Sequence, residues 1–152
     1  MDPQQEIKEL QELVAYYQDV IYNMSAPIIP SIVPNTILVP IAGYIFRDRF
    51  ETIRTKVLDY ADSHRDTEQV VFDFTGVTMQ DVQSFDFNEL ALELTQLNSA
   101  LKLMGLRGIY VGFNPRFVRE IVHAGIHVDL EVYTTFRSAL QTLLDEREAK
   151  LR

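Results

Sequence analysis

Three carboxylates, Asp73, Asp81 and Asp86, and three hydroxyls, Thr75, Thr78 and Ser84, stand in one short stretch, "DFTGVTMQDVQSFD". The stretch follows an apolar run, "VVFDF", and precedes a long patterned helix. It therefore falls at the carboxyl end of a strand, where α/β proteins place their chemistry. Carboxylates grouped there could bind Mg²⁺. The hydroxyls could accept a phosphoryl group, and a phosphate beside a helix start is electrostatically favoured. Each residue also has a plainer role. Asp73 would accept backbone N–H bonds in its loop, and Asp81 or Asp86 would sit at the positive end of the long helix. Ser84 would be that helix's N-cap, with Thr75 and Thr78 as loop hydroxyls. Acidic residues are common at helix starts, so the plainer role is preferred and neither metal nor cofactor is expected.

Other chemistry finds no support. The chain has no cysteine, which excludes disulfides, zinc thiolates and thiol catalysis. Its glycines, Gly43, Gly76, Gly105, Gly108, Gly112 and Gly125, form neither G-x-G-x-x-G nor a P-loop with its lysine. His123 and His127 are four apart, but Gly125 should stop the helix between them and undo a helical metal pair. There is no G-x-S-x-G elbow. No residue set meets the requirements of an active site, so a non-enzymatic protein is expected. The net charge of -8, from 14 basic and 22 acidic side chains, argues against nucleic acid and anionic membranes as partners. The start, "MDPQQEIKEL", does not read as a signal peptide. No apolar run reaches the length of a membrane span. A cytoplasmic protein is the expectation.

The elements that position the loop follow from patterning. Asp2-Pro3 reads as an N-cap and first helical residue. Ile7, Leu10, Val14, Tyr17, Ile21 and Met24 then recur in alternating three- and four-residue steps, a heptad seam that Leu13 and Val20 widen. A seam outside a compact domain is best covered by a second copy, giving a homodimer through parallel helices. Tyr16, Tyr17 and Tyr22 could line a pocket in such a dimer, although aromatic packing is the simpler reading. Pro34-Asn35 suits a turn between two strands, and Pro40 implies an edge or a gap in the ladder. A helix follows from Asp48 to Asp62 with Phe50, Ile53, Val57, Tyr60 and Ala61 inward. "VVFDF" and "RGIYVGF" read as buried strands. The long helix is expected from Ser84 to Met104. A further helix begins at Asn114-Pro115 and should bury Phe117, Ile121 and Val122. "LEVY" is a last strand. The final helix starts at Thr134 or Thr135 and ends in a solvated tail, "DEREAKLR". The order, a helix and then ββαβαβαβα, means an α/β fold: a mostly parallel or mixed sheet of four to five strands with packed helices.

"SAPIIPS", "ILVPIAG", "VVFDFTGV" with Asp81 five residues after Gly76, "ALKLMGLRGIYVGFNPRF" and "EIVHAGI" occur in the order found in STAS domains. The span from Ala26 to Leu144 resembles that family, the fold of bacterial anti-sigma-factor antagonists, and within it the stressosome co-antagonists of the sigma-B pathway. The resemblance implies a STAS domain over 26–152, preceded by a dimerisation helix over 1–25. That helix would match the family's linker from a sensory segment, so the chain is either a fragment or a short member. It also implies a regulatory scaffold whose partners are other STAS proteins, antagonist and co-antagonist paralogues, in a homodimer or larger assembly with a switch serine/threonine kinase. By the same resemblance, Asp73, Thr75, Gly76 and Asp81 form the frame of a switch loop. The family's phosphoacceptor positions fall on Val82 and Arg47, neither of which has a hydroxyl. Asn114 and Arg116 replace the family's arginine and glutamate. The alternatives are a ligand-sensing STAS module, or a phosphoaccepting antagonist using Ser84 or Thr78.

Overall fold

A computed structural model describes residues 2–151; Met1 and Arg152, the outer ends of the two expected segments, lie outside them. The chain opens with helix α1 (Pro3–Ser25), capped as expected by Asp2, whose carboxylate accepts the Gln4 N–H at 3.1 Å. Strands β1 (Ile29–Pro30) and β2 (Thr36–Ala42) follow, then α2 (Arg49–Ser63), β3 (Gln69–Gly76) and a short 3₁₀ turn at Gln80–Val82. The remainder is α3 (Phe87–Leu103), β4 (Arg107–Val111), α4 (Pro115–His123), β5 (Glu131–Tyr133) and α5 (Phe136–Leu151). The five strands form one sheet in sequence order, with β1 antiparallel to β2 and all other neighbours parallel.

Alternation along the strands splits the core into two layers. Ile37, Val39 and Ile41 of β2, Val70, Phe72 and Phe74 of β3, and Tyr110 of β4 face α2 and α3. They meet Phe50, Ile53 and Val57 of α2 and Leu90, Leu94, Leu97 and Leu101 of α3. Val71, Ile109 and Val111 face the other way and meet Ala139 and Leu143 of α5. Each large side chain buried in this way contributes about 1.5–3 kcal/mol. Across the amino end of the sheet, Arg107 bonds both Glu131 of β5 and Glu146 of α5 at 2.7 Å. These two-point contacts draw the guanidinium and carboxylates into one planar fork. Glu146 is thus part of an ion-pair network, although the tail around it was expected to be simply solvated.

Pro40 does mark an irregularity: the β2–β3 register shifts between Pro40 and Ala42. Three expectations need correcting. Thr75 and Gly76 are the last residues of β3, so the loop begins at Val77. The long helix starts at Phe87, and its N-cap is Asp86, which accepts the Glu89 N–H at 2.7 Å. Ser84 is not the cap, because the chain makes a further turn before the helix begins. Val122 is 69% exposed, and α4 buries no side chain completely, because it lies at the margin of the sheet.

Candidate functional site

The loop after β3 is held shut by its own side chains. Asp73 accepts the Thr75 N–H at 2.9 Å and the Thr75 hydroxyl at 2.5 Å. Asp81 accepts the Thr78 N–H at 2.9 Å and the Thr78 hydroxyl at 3.0 Å. Ser84 Oγ is hydrogen-bonded to the Tyr44 hydroxyl. Every hydroxyl singled out in the sequence is therefore already engaged, and each of the three carboxylates serves a turn or a helix end. Asp73 makes an Asx turn with the backbone two residues on, whereas Asp81 reaches back three residues to Thr78. They give the stretch a fixed shape rather than a set of free ligands.

Glycine lets the loop's base close. A Cβ on Gly112 would lie 2.2 Å from Thr75 Oγ1 and 2.8 Å from Asp73 Oδ1, at a φ of +76°. A Cβ on Gly76 would lie 2.7 Å from the Ala42 Cβ. Both positions need a residue without a side chain for the backbones to approach.

Val82 and Arg47 occupy the same rim and behave differently. Val82 is half-buried and packs against the apolar core. It lines a small apolar cavity of about 30 Å³ with Ile45, Phe74, Val77, Phe113 and Phe117. Arg47 is exposed: its guanidinium donates to Glu89 at 2.7 Å and to the Ser84 carbonyl at 3.1 Å, and lies 5.5 Å from the centre of the Phe85 ring. The two positions thus bracket the turn that holds Ser84. Among the tyrosines of α1, Tyr16 and Tyr17 have ring centres 5.5 Å apart, whereas Tyr22 faces Lys56 of α2. The structure does not bring the three to one surface within this chain. The seam residues Ile7, Leu10, Val14, Tyr17, Ile21 and Met24 are all exposed. Asn114 caps α4 by accepting the Arg116 N–H at 2.9 Å, so the altered pair sits at that helix start.

Comparison with known proteins completes the picture. The chain is 27% identical over 143 residues to the RsbT co-antagonist protein RsbRA of Bacillus subtilis, covering 93% of this chain and 49% of that protein. It is 29% identical over 123 residues to a blue-light photoreceptor of Listeria monocytogenes, covering 80% and 45%. Its fold matches the solved structure of Moorella thermoacetica RsbS with a TM-score of 0.61 at 14% identity, over 81% of this chain and 97% of that one. The chain is similar in sequence to the RsbT co-antagonists and shares the fold of the STAS-domain structures it matches. No family model matches it. The chain spans about half the length of the curated relatives it matches.

Sequence reasoning missed two residues of the STAS rim. Tyr44 carries no pattern that would announce its bond to Ser84. Arg49 did leave a signal: it is a cation in the first turn of a helix, where the dipole disfavours positive charge. Its side chain is buried among backbone carbonyls instead of lying on the surface.

Proposed function

We propose that the chain is a non-enzymatic regulatory scaffold, a stressosome-type STAS subunit acting by protein–protein contact in control of a stress sigma factor. In this reading residues 1–25 form the dimerisation helix and 26–152 the STAS domain. The partners are other STAS-domain proteins, and the loop between Val77 and Asp86 forms part of the face they meet. The observation that carries the reading is Val82. It stands where the resemblance places a phosphoacceptor, has no hydroxyl, and turns its side chain toward the apolar core. Valine cannot take a phosphoryl group, so the subunit holds one state at that position. Arg47, at the second such position, adds a fixed positive charge beside the same turn.

Co-expression with a cognate STAS antagonist tests the scaffold role: a mixed complex should co-elute, and a chain that never enters one overturns it. Incubation with the partner kinase, followed by mass spectrometry, tests the locked state. Wild type should remain unmodified, with phosphate acquired only by Val82→Thr. Phosphate on wild-type Ser84 or Thr78 would instead establish the phosphoaccepting alternative. That alternative draws support from Arg47, whose guanidinium lies beside the Ser84 carbonyl and could face a phosphate there.

A further inference from the structure

Arg49 is 5% exposed, and its hydrogen-bond partners are backbone carbonyls from two separate parts of the chain. Nε and Nη2 each donate to the Ser25 carbonyl at 3.3 Å. Nη1 donates to the carbonyls of Ala42 at 2.7 Å and Tyr44 at 2.9 Å. Ser25 is the last residue of α1, a helix with no basic residue of its own in its last turn. Its carboxyl end is the negative end of the helix dipole, and Arg49 supplies the missing positive charge from α2. Lys56 adds a second contact, donating to the carbonyls of Tyr22 and Asn23 at 3.3 Å.

The other hand of Arg49 holds the segment that grips the loop after β3. The Gly43 N–H donates to the Gly76 carbonyl at 3.1 Å, and the Ile45 N–H to the Asp81 carbonyl at 2.8 Å. The Tyr44 hydroxyl meets Ser84. Burial pushes the Arg49 guanidinium below its ordinary range, and the charge of Asp81 opposes that shift. An unbroken series of polar contacts therefore runs from the end of α1 through Arg49 to Tyr44, and from there to Asp81 and Ser84. A buried guanidinium cannot give up a carbonyl without leaving donors unpaired away from water. A shift of the Ser25 carbonyl must be followed by Arg49, and a shift of Arg49 by the Ala42–Ile45 backbone.

We propose that Arg49 is a positioning residue that couples the placement of α1 to the shape of the 77–86 loop. Whatever covers the apolar face of α1 then acts on the loop from a distance, with no phosphate required. The proposal rests on the functional reading above only in treating that loop as a contact face. The coupling is testable in the isolated chain, so failure of either leaves the other standing.

The test is hydrogen–deuterium exchange on the full chain, read in residues 20–26, 77–86 and 70–74, the last reporting on global unfolding. Arg49→Met should speed exchange about tenfold in both 20–26 and 77–86, the scale set by the loss of one buried hydrogen-bonding partner. Residues 70–74 should stay protected. Lys56→Met removes the other contact to α1 and should speed exchange in 20–26 alone. A rise in 20–26 with an unchanged 77–86 segment in Arg49→Met overturns the coupling, as does an equal response of 77–86 to Lys56→Met. If Arg49→Met exposes 70–74 as well, Arg49→Lys decides. The lysine keeps the charge with fewer donors, and a rise in both segments supports the proposal while a rise in only one rejects it.

Discussion

Helices α1 and α2 carry apolar residues at similar spacings and treat them in opposite ways. In α2, Ile53 is 0% and Phe50 2% exposed, packed on β2 and β3. In α1, Leu10 is 60% and Met24 70% exposed, and the other seam residues run from 49% to 55%. The periodicity is a statement that a face will be covered; it does not say by what. For α2 the cover is the chain's own sheet. For α1 the described residues offer none, although most helical stability in proteins comes from packing of an amphipathic face. Solvent exposure of so many neighbouring apolar side chains marks a surface for another molecule.

The largest effect is expected in α2. Phe50→Ala should cost about 3–5 kcal/mol, measured by denaturant unfolding, since it empties a fully packed site. In α1, Ile7→Asp combined with Val14→Asp should instead abolish self-association. The unfolding free energy of the sheet should change by no more than about 0.5 kcal/mol relative to dilute wild type. A large loss of sheet stability in that variant would mean that α1 packs on its own domain. α5 extends the comparison, because the sheet holds it by charge as well as by apolar contact. The hydrogen bond from Arg107 holds the Glu146 carboxyl below its ordinary range. Its folded-state pKa lies under the unfolded value, so its contribution is complete above the usual carboxylate range, about 4.3, and fades as pH falls through the depressed value. Glu146→Gln should therefore flatten the acid limb of the stability profile while leaving α1 association untouched. Arg47→Ala should have the smallest effect, about 0.2–1 kcal/mol, because its pair with Glu89 is solvent-exposed. That effect should shrink further in high salt.

The architecture was legible because its signals are local. Asp2-Pro3, Asn114-Pro115 and the glycines after α3 and α4 mark helix ends through chemistry that acts over a few residues. The alternation in "ILVPIA" and the continuous run in "VVFDF" tell a half-covered strand from a fully covered one. The site was legible only in part. Asp73 could be read because aspartate closes turns on its own backbone; Asp81, expected at the start of the long helix, instead closes a turn on Thr78 ahead of it. The start of α3 was misplaced because Ser84 and Asp86 are both good caps, and only the extra turn chooses between them. Tyr44 and Arg49 were out of reach for a different reason. Their partners, Ser84 and Ser25, lie forty and twenty-four residues away, and no periodicity reports a contact at that separation. The same holds for Arg107 with Glu146, where a charged tail gave no hint that one of its members crosses to the sheet.

In the reading proposed above, the exposed apolar face of α1 pairs with that of a second copy. Size-exclusion chromatography with light scattering on the wild-type chain tests it most directly. A species of twice the chain mass is expected, falling to the chain mass when Ile7 and Val14 are both replaced by aspartate. A wild-type protein that elutes at the mass of one chain, at concentrations where the variant does the same, would contradict it.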